Sequence, residues 1–155
     1  MKTWLVSRCL LGEPCRYDGR AKGNDRVLTL VAEGKIRVVP VCPECDGGLP
    51  TPRTPSEIQG GDGADVLRGA ARVMSVDGED RTEAFVLGAR LAVETARREG
   101  AQGALLKAKS PSCGIGRIYD GSFTGTLREG DGVAAAALRA AGLPIHSETD
   151  FPEEI

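Results

Sequence analysis

Three short apolar runs in this chain each stop just short of a cysteine, and each cysteine opens a stretch rich in Gly and Pro. The first is Thr3, Trp4, Leu5, Val6 and Ser7, ahead of Cys9. The second is Ile36, Val38, Val39 and Val41, ahead of Cys42. The third is Ala104, Leu105, Leu106 and Lys107, ahead of Ser110-Pro111-Ser112-Cys113-Gly114. Short apolar runs bounded by turn residues read as buried strands. Between the first two lies a helical signal. Asn24 or Asp25 is the expected N-cap, Val27, Leu28, Leu30 and Val31 form the apolar face, and Gly34 ends it. Strand, helix and strand in succession make a βαβ unit, which demands a parallel pair and a right-handed crossover.

The remainder of the chain extends that unit. Residues 47–63 are dominated by Gly, Pro and Thr and read as a long irregular segment, which in a small domain usually carries function. Residues 72–82 read as a small hairpin turning at Asp77-Gly78. Thr82 is the expected cap of the clearest helix, with Phe85, Ala89, Ala92, Val93 and Ala96 on one face and Gly100 as its stop. Residues 114–130 read as a loop wrapping over a site. Asp131 is the expected cap of an Ala-rich helix over 133–141, ended by Gly142, and residues 143–147 form a last strand. The expected fold is α/β, a three-layer open and mostly parallel sheet of Rossmann or flavodoxin-like kind. One domain is expected to span residues 1–155, with a small inserted hairpin and Gly/Pro-rich loops over the carboxyl ends of the strands.

Composition narrows the function. Aromatic residues make up 4% of the chain, too few for a base-stacking platform, and a formal net charge of -2 gives no global basic field. Nucleic acid is therefore disfavoured as a partner. The segment MKTWLVSRCLLG is interrupted too early by Arg8 for a signal peptide, and no run approaches the roughly 18 apolar residues of a membrane span. The expected location is cytoplasmic, away from any membrane. Five cysteines are an odd number for a disulfide framework and fit metal ligation or a reactive thiol better. With a single histidine, His146, any metal here must be held chiefly by sulfur, which favours Zn, Cu(I) or iron–sulfur clusters.

In open α/β sheets, sites lie beyond the carboxyl ends of the strands. Cys9, Cys42 and Cys113 all fall there, so they are expected to converge. Three converging thiolates suit an iron–sulfur cluster with one iron open to a substrate atom. Simple burial is the better account of any one cysteine alone, but the threefold repetition favours ligation. Glu44, two residues from Cys42, is placed to orient or deprotonate a water. Ser110 and Ser112 are placed to position that water or bond a substrate, although turn formation explains them equally well. Arg16, Arg53, Lys107 and Lys109 lie near the same loops, with solvated surface as their default. The pair Cys42 and Cys45 forms a CxxC, but Asp46-Gly47-Gly48 after it does not continue a helix as a thioredoxin-like motif requires. Cys9 and Cys15 make only a weak second pair for zinc. Gly114 and Gly116 form a lone GxG, and there is no P-loop. Two other classes stay open at this point: a non-catalytic iron–sulfur or zinc module, acting as a sensor, and a thiol–disulfide protein using Cys42 and Cys45.

The segments SRCLLGEPCRYDG, PVCPECDGGLPTPRTPSE and LLKAKSPSCGIG together resemble the thiouracil desulfurase family, long known only as a bacterial domain of unknown function. The resemblance covers nearly the whole chain. It implies a [4Fe-4S] cluster held by Cys9, Cys42 and Cys113 and supplied by cluster-assembly machinery. It further implies non-redox hydrolysis of a thiolated pyrimidine, 2- or 4-thiouracil, to uracil and sulfide, with Glu44 and Ser110 as catalytic residues. Ser112, Arg53 and Tyr17 are the candidates for substrate contact. Cys45 departs from the family pattern, and Cys15 is variable in it. Family substrates range over free thiobases, thionucleosides and thiolated tRNA, and the modest acidity of this chain favours a small thiobase.

Overall fold

The computed structural model describes residues 1–19 and 23–150, so residues 20–22 of the loop expected after Cys9 lie outside the described residues. In chain order the elements begin with β1 (Lys2–Ser7), a 3-10 turn (Arg8–Leu11), α1 (Asp25–Ala32), β2 (Ile36–Val41) and α2 (Pro43–Asp46). Next come β3 (Ser56–Gln59), α3 (Gly63–Leu67), β4 (Arg72–Ser75) and the long α4 (Thr82–Glu99). The last are β5 (Gly103–Leu106), β6 (Arg117–Tyr119), β7 (Leu127–Glu129), α5 (Val133–Ala140) and β8 (Ile145–Ser147).

The central sheet runs β2-β1-β5-β8, and every pair in it is parallel. Side chains alternate across β1 with the period of two that a strand imposes. Trp4 and Val6 meet Val27 and Leu30 of α1 on one face, while Leu5 meets Ala92 and Ala96 of α4 and Leu138 of α5 on the other. Helices thus cover both faces, giving the expected three layers. Parallel strands covered on both faces should be apolar throughout, and β5 is buried at all four positions. Full burial of a side chain such as Leu105 contributes about 2 kcal/mol. The order of the sheet reverses between β1 and β5, so a crevice opens beyond the carboxyl ends of those two strands.

Two antiparallel ribbons, β3 with β4 and β6 with β7, stand outside this sheet. Two-stranded ribbons are marginal alone. These rest on a third apolar cluster in which Ile58, Val73, Phe85, Ile118 and Val133 are all essentially buried.

The structure corrects several local expectations. Residues 47–63 contain β3, and the true partner of β4 is β3. The turn expected at Asp77-Gly78 is present, and the short return after it bridges β4 at Met74 and Asp80, with the Ser75 and Arg81 N–H groups donating to the Glu79 and Val73 carbonyls. Residues 114–130 hold the β6–β7 ribbon. The CxxC does open a helix, the single turn α2, because Cys42 is extended and Pro43 takes the first helical position, where its missing N–H costs nothing. Thr82 is the first residue of α4, after Arg81, and its hydroxyl accepts the Val73 N–H. Asp131 is not the cap of α5. Gly132 is, and the Asp131 carboxylate serves the Gly116 N–H and the Arg139 guanidinium. In α1, Leu28 and Val31 are exposed and only Val27 and Leu30 are buried.

Candidate active site

Each strand end delivers its cysteine through a different device. After β1 the chain tightens into the 3-10 turn, closed by Gly12 in the left-handed region, and Cys9 is buried inside it. After β2, Cys42 precedes Pro43, and the Asp46 carboxylate accepts its N–H at 3.1 Å. The turn α2 then lies directly on α4. A Cβ at Gly88 would sit 1.9 Å from the Pro43 carbonyl oxygen, so only glycine permits the approach. After β5, Ser110 Oγ accepts the N–H groups of Ser112 and Cys113, both at 3.1 Å, and bends the chain back. That bend is fastened to α5. The Pro111 and Ser112 carbonyls accept the Val133 and Ala135 N–H groups at 2.8 and 3.0 Å, satisfying donors that a helix start leaves open.

The three ends meet at a cavity of about 620 Å³. Cys9, Cys42, Cys113, Glu44, Ser110, Ser112, Arg53 and Tyr17 all line it, together with Arg16, Lys107 and Lys109. Cys9, Cys42 and Cys113 are buried and free of disulfides. Burial pushes the Cys113 thiol up to about 12, against the pull of hydrogen bonds to Ser112 and Ser7. Interaction with Cys15, and then burial, push the Cys42 thiol far up. Such thiols keep their protons unless a cation displaces them, so a buried, sulfur-only donor set at a cavity wall suits a soft metal group. Among the described residues no three His, Cys, Asp or Glu side chains are gathered for a single metal ion.

Cys15 is buried beside these cysteines and lines the same cavity, and its carbonyl lies 3.9 Å from the Cys42 sulfur. Interaction with Cys42 lowers its pKa, but interaction with Cys9 and burial outweigh it and raise the thiol to about 11. Cys45 is half-buried, with its sulfur 3.7 Å from the Cys15 carbonyl oxygen and 3.2 Å from Thr51 Oγ1. Cys9, Cys15, Cys42 and Cys113 all line the cavity, and Cys45 adjoins the Cys15 carbonyl behind it.

Beside them the carboxylate of Glu44 is fully engaged. Ser110 and Ser112 donate to its Oε1 at 3.3 and 3.1 Å, and Arg53 grips its Oε2 through Nε, at 3.0 Å, and Nη2. The side chains of Arg53 and Glu44 are only 4% and 13% exposed. The remaining Arg53 donors go to the Cys15 and Pro50 carbonyls and to Thr51 Oγ1. A guanidinium has five N–H donors in a rigid fork, and here protein acceptors take all five. Glu44 holds the Arg53 pKa up against the opposite pull of burial. Ser112 Oγ also reaches Cys113 Sγ at 3.5 Å, joining the carboxylate side of the cavity to the thiol side.

Among the lining residues that sequence reasoning did not single out are Ser7, Glu57, Tyr119 and Phe123. Ser7 touches Cys113 and accepts the Lys107 N–H. Glu57, Tyr119 and Phe123 come from the two ribbons. The only cue to Glu57 was a short alternation around Ile58, too brief to assign a strand.

The sequence pattern of the 2-thiouracil desulfurase family matches residues 4–150. The chain belongs to that family. The solved structure of the [4Fe-4S]-dependent thiouracil desulfidase TudS superposes on this desulfurase-family chain with a TM-score of 0.85. Identity is 44%, over 99% of this chain and 95% of that one. The uncharacterized protein YbbK of Bacillus subtilis (strain 168) is 45% identical over 147 residues, 95% of this chain and 96% of its own length. The resemblance carried by the three cysteine motifs is thus borne out for family and fold. No helix among the described residues is long and apolar enough to cross a membrane.

Proposed function

We propose that this protein hydrolyses the thiocarbonyl of a thiolated pyrimidine, 2- or 4-thiouracil, to give uracil and sulfide without any redox change. Water supplies the oxygen, the C=S carbon becomes C=O, and sulfur leaves at the oxidation level of sulfide. Family membership and the likeness to TudS support the substrate class. The observation that carries the reading is Glu44 Oε1 lying between two serine hydroxyls at the mouth of a buried thiol set.

Cys9, Cys42 and Cys113 would hold a [4Fe-4S] cluster. When bound, the cluster supplies a Lewis-acidic iron with a position open to the substrate's sulfur. Glu44 accepts a proton from the attacking water. Ser110, and Ser112 beside it, orient that water and keep the carboxylate aimed at it. Arg53 fixes the other carboxylate oxygen, so that Oε1 is the atom presented to the cavity. Tyr17 is exposed at the rim and closes one side of the bound ring.

The test is sulfide and uracil release from 4-thiouracil after anaerobic cluster reconstitution, with Glu44→Gln beside the wild type. The expected result is equimolar products from the wild type. Glu44→Gln should lose about 10²-fold or more in kcat, the usual scale for a general base, while keeping its cluster absorbance. An assembled cluster without turnover would overturn the assignment of substrate. Zinc retained in place of iron would overturn the assignment of cofactor.

A further inference from the structure

The cavity holds a second carboxylate that the chemistry above does not use. Glu57, on β3, is 8% exposed and lines the same space as the cysteines and Glu44. Its Oε1 accepts the Gly121 N–H at 2.9 Å and the Phe123 N–H at 3.2 Å. Phe123 holds a left-handed φ of 57°, unusual for a bulky residue, which turns its N–H onto that oxygen. Among the described residues no hydrogen bond reaches Oε2, and no basic side chain pairs with Glu57. Burying a carboxylate without a cation is costly. Holding the 121–123 turn does not require one, because the amide oxygen of a glutamine would accept the same two N–H groups. What glutamate alone provides is a second oxygen that only accepts, on a side chain that lines the cavity.

The surroundings define what that oxygen can take. Tyr17, Tyr119 and Phe123 give the cavity flat aromatic surfaces, and Gln59 braces the same turn by donating to the Gly121 carbonyl at 2.9 Å. Aromatic faces favour a planar ring, and an acceptor-only atom beside them favours a ring bearing an N–H. We propose that Glu57 is the specificity residue of the site: Oε2 accepts a ring N–H of the substrate and selects a base whose nitrogen is unsubstituted over one alkylated or glycosylated there. This rests on the thiobase reading above. A site built to pair an N–H discriminates strongly against analogues lacking it, because its buried acceptor is then left alone.

Two measurements on reconstituted holoenzyme test the assignment. First, wild-type kcat/KM is compared for 4-thiouracil and its N1-methyl and N3-methyl derivatives. One of the methylated compounds should fall at least tenfold below the parent. Equal turnover of all three would overturn the proposal without any variant. Second, Glu57→Gln keeps an oxygen for Gly121 and Phe123 but turns the cavity atom from acceptor to donor. Its cluster absorbance and Tm should match the wild type. Its dissociation constant for uracil, which has both ring N–H groups and no sulfur, should rise at least tenfold. Its discrimination against the rejected methyl derivative should collapse. Unchanged uracil affinity in Glu57→Gln would overturn the proposal whatever the activity. Loss of sulfide release by the wild type, with uracil affinity still dependent on Glu57, would count against the desulfuration reading alone.

Discussion

The two sides of the cavity are organised in opposite ways. On the carboxylate side, Glu44, Arg53, Ser110 and Ser112 satisfy one another through hydrogen bonds and an ion pair supplied by the protein. On the sulfur side, the Cys42 sulfur meets the Cys15 carbonyl, burial raises the Cys113 thiol above its ordinary range, and interaction with Cys15 followed by burial raises the Cys42 thiol. The first arrangement is complete as it stands. The second is a set of buried thiols that a cluster would bind as thiolates. The difference predicts that lesions on the two sides will fail differently: sulfur lesions by losing the cofactor, carboxylate lesions by losing turnover with the cofactor in place.

Cys113→Ser should produce the largest effect. Cys113 is 4% exposed and serine is close to it in size, so the substitution fits without repacking. We expect the brown absorbance and sulfide release to fall to background while circular dichroism stays native. A Cys113→Ser protein that assembled a full-strength cluster and turned over normally would remove Cys113 from the ligand set.

Arg53 tests the carboxylate side. Arg53→Ala leaves Glu44 buried beside no cation, and breaking a buried pair from one partner costs about 3 kcal/mol or more. A fall in Tm should report it. Arg53→Lys keeps the charge but cannot reproduce the fork that binds Oε2 through Nε and Nη2. Misplacing a catalytic group by an ångström is worth about 10²-fold, so kcat should fall on that scale with KM and cluster content little changed. Cluster loss in Arg53→Lys would show that the two sides are not separable.

Gly88 lies outside both sides and supports them jointly through α2. A Cβ there would collide with the Pro43 carbonyl. Gly88→Ala should cost about 1–3 kcal/mol as overpacking and lower cluster occupancy and kcat together, since α2 carries Cys42 and Glu44 on one turn. A Gly88→Ala protein with native stability and native activity would show that α2 tolerates displacement.

What could be read from the sequence follows the same division. The parallel sheet, its two helical faces and the placement of Cys9, Cys42 and Cys113 just past strand ends were legible, because periodicity and turn residues are local signals. The ribbons were not. β3, β6 and β7 are three or four residues long, set among Gly, Pro and Thr, and they are strands only because distant segments pair with them. Local pattern carries no such information. Glu44 was singled out by its nearness to Cys42, but nothing in the stretch between it and Arg53 shows that a buried fork would grip it. Glu57 was missed for the same reason, since its setting is made by a turn more than sixty residues away. Cys15 read only as half of a weak pair with Cys9, yet it lines the cavity with its carbonyl against the Cys42 sulfur.

The smallest effect is expected at Cys45, and it sharpens the comparison most. Cys45 stands where the two sides touch: its sulfur contacts Thr51 Oγ1 at 3.2 Å, Arg53 Nη1 at 3.7 Å and the Cys15 carbonyl at 3.7 Å. These are weak polar contacts that a serine hydroxyl can also make. Cys45→Ser should therefore change stability by about 0.5 kcal/mol or less, with cluster absorbance and sulfide release close to wild type. A thiol–disulfide enzyme working through Cys42 and Cys45 makes the opposite demand, because removing either sulfur removes the disulfide. Activity abolished by Cys45→Ser, and supported in the wild type by a dithiol without iron, would transfer the chemistry from the cavity to the CxxC. Activity preserved in Cys45→Ser and abolished in Cys113→Ser would leave only a mechanism that joins all three strand ends.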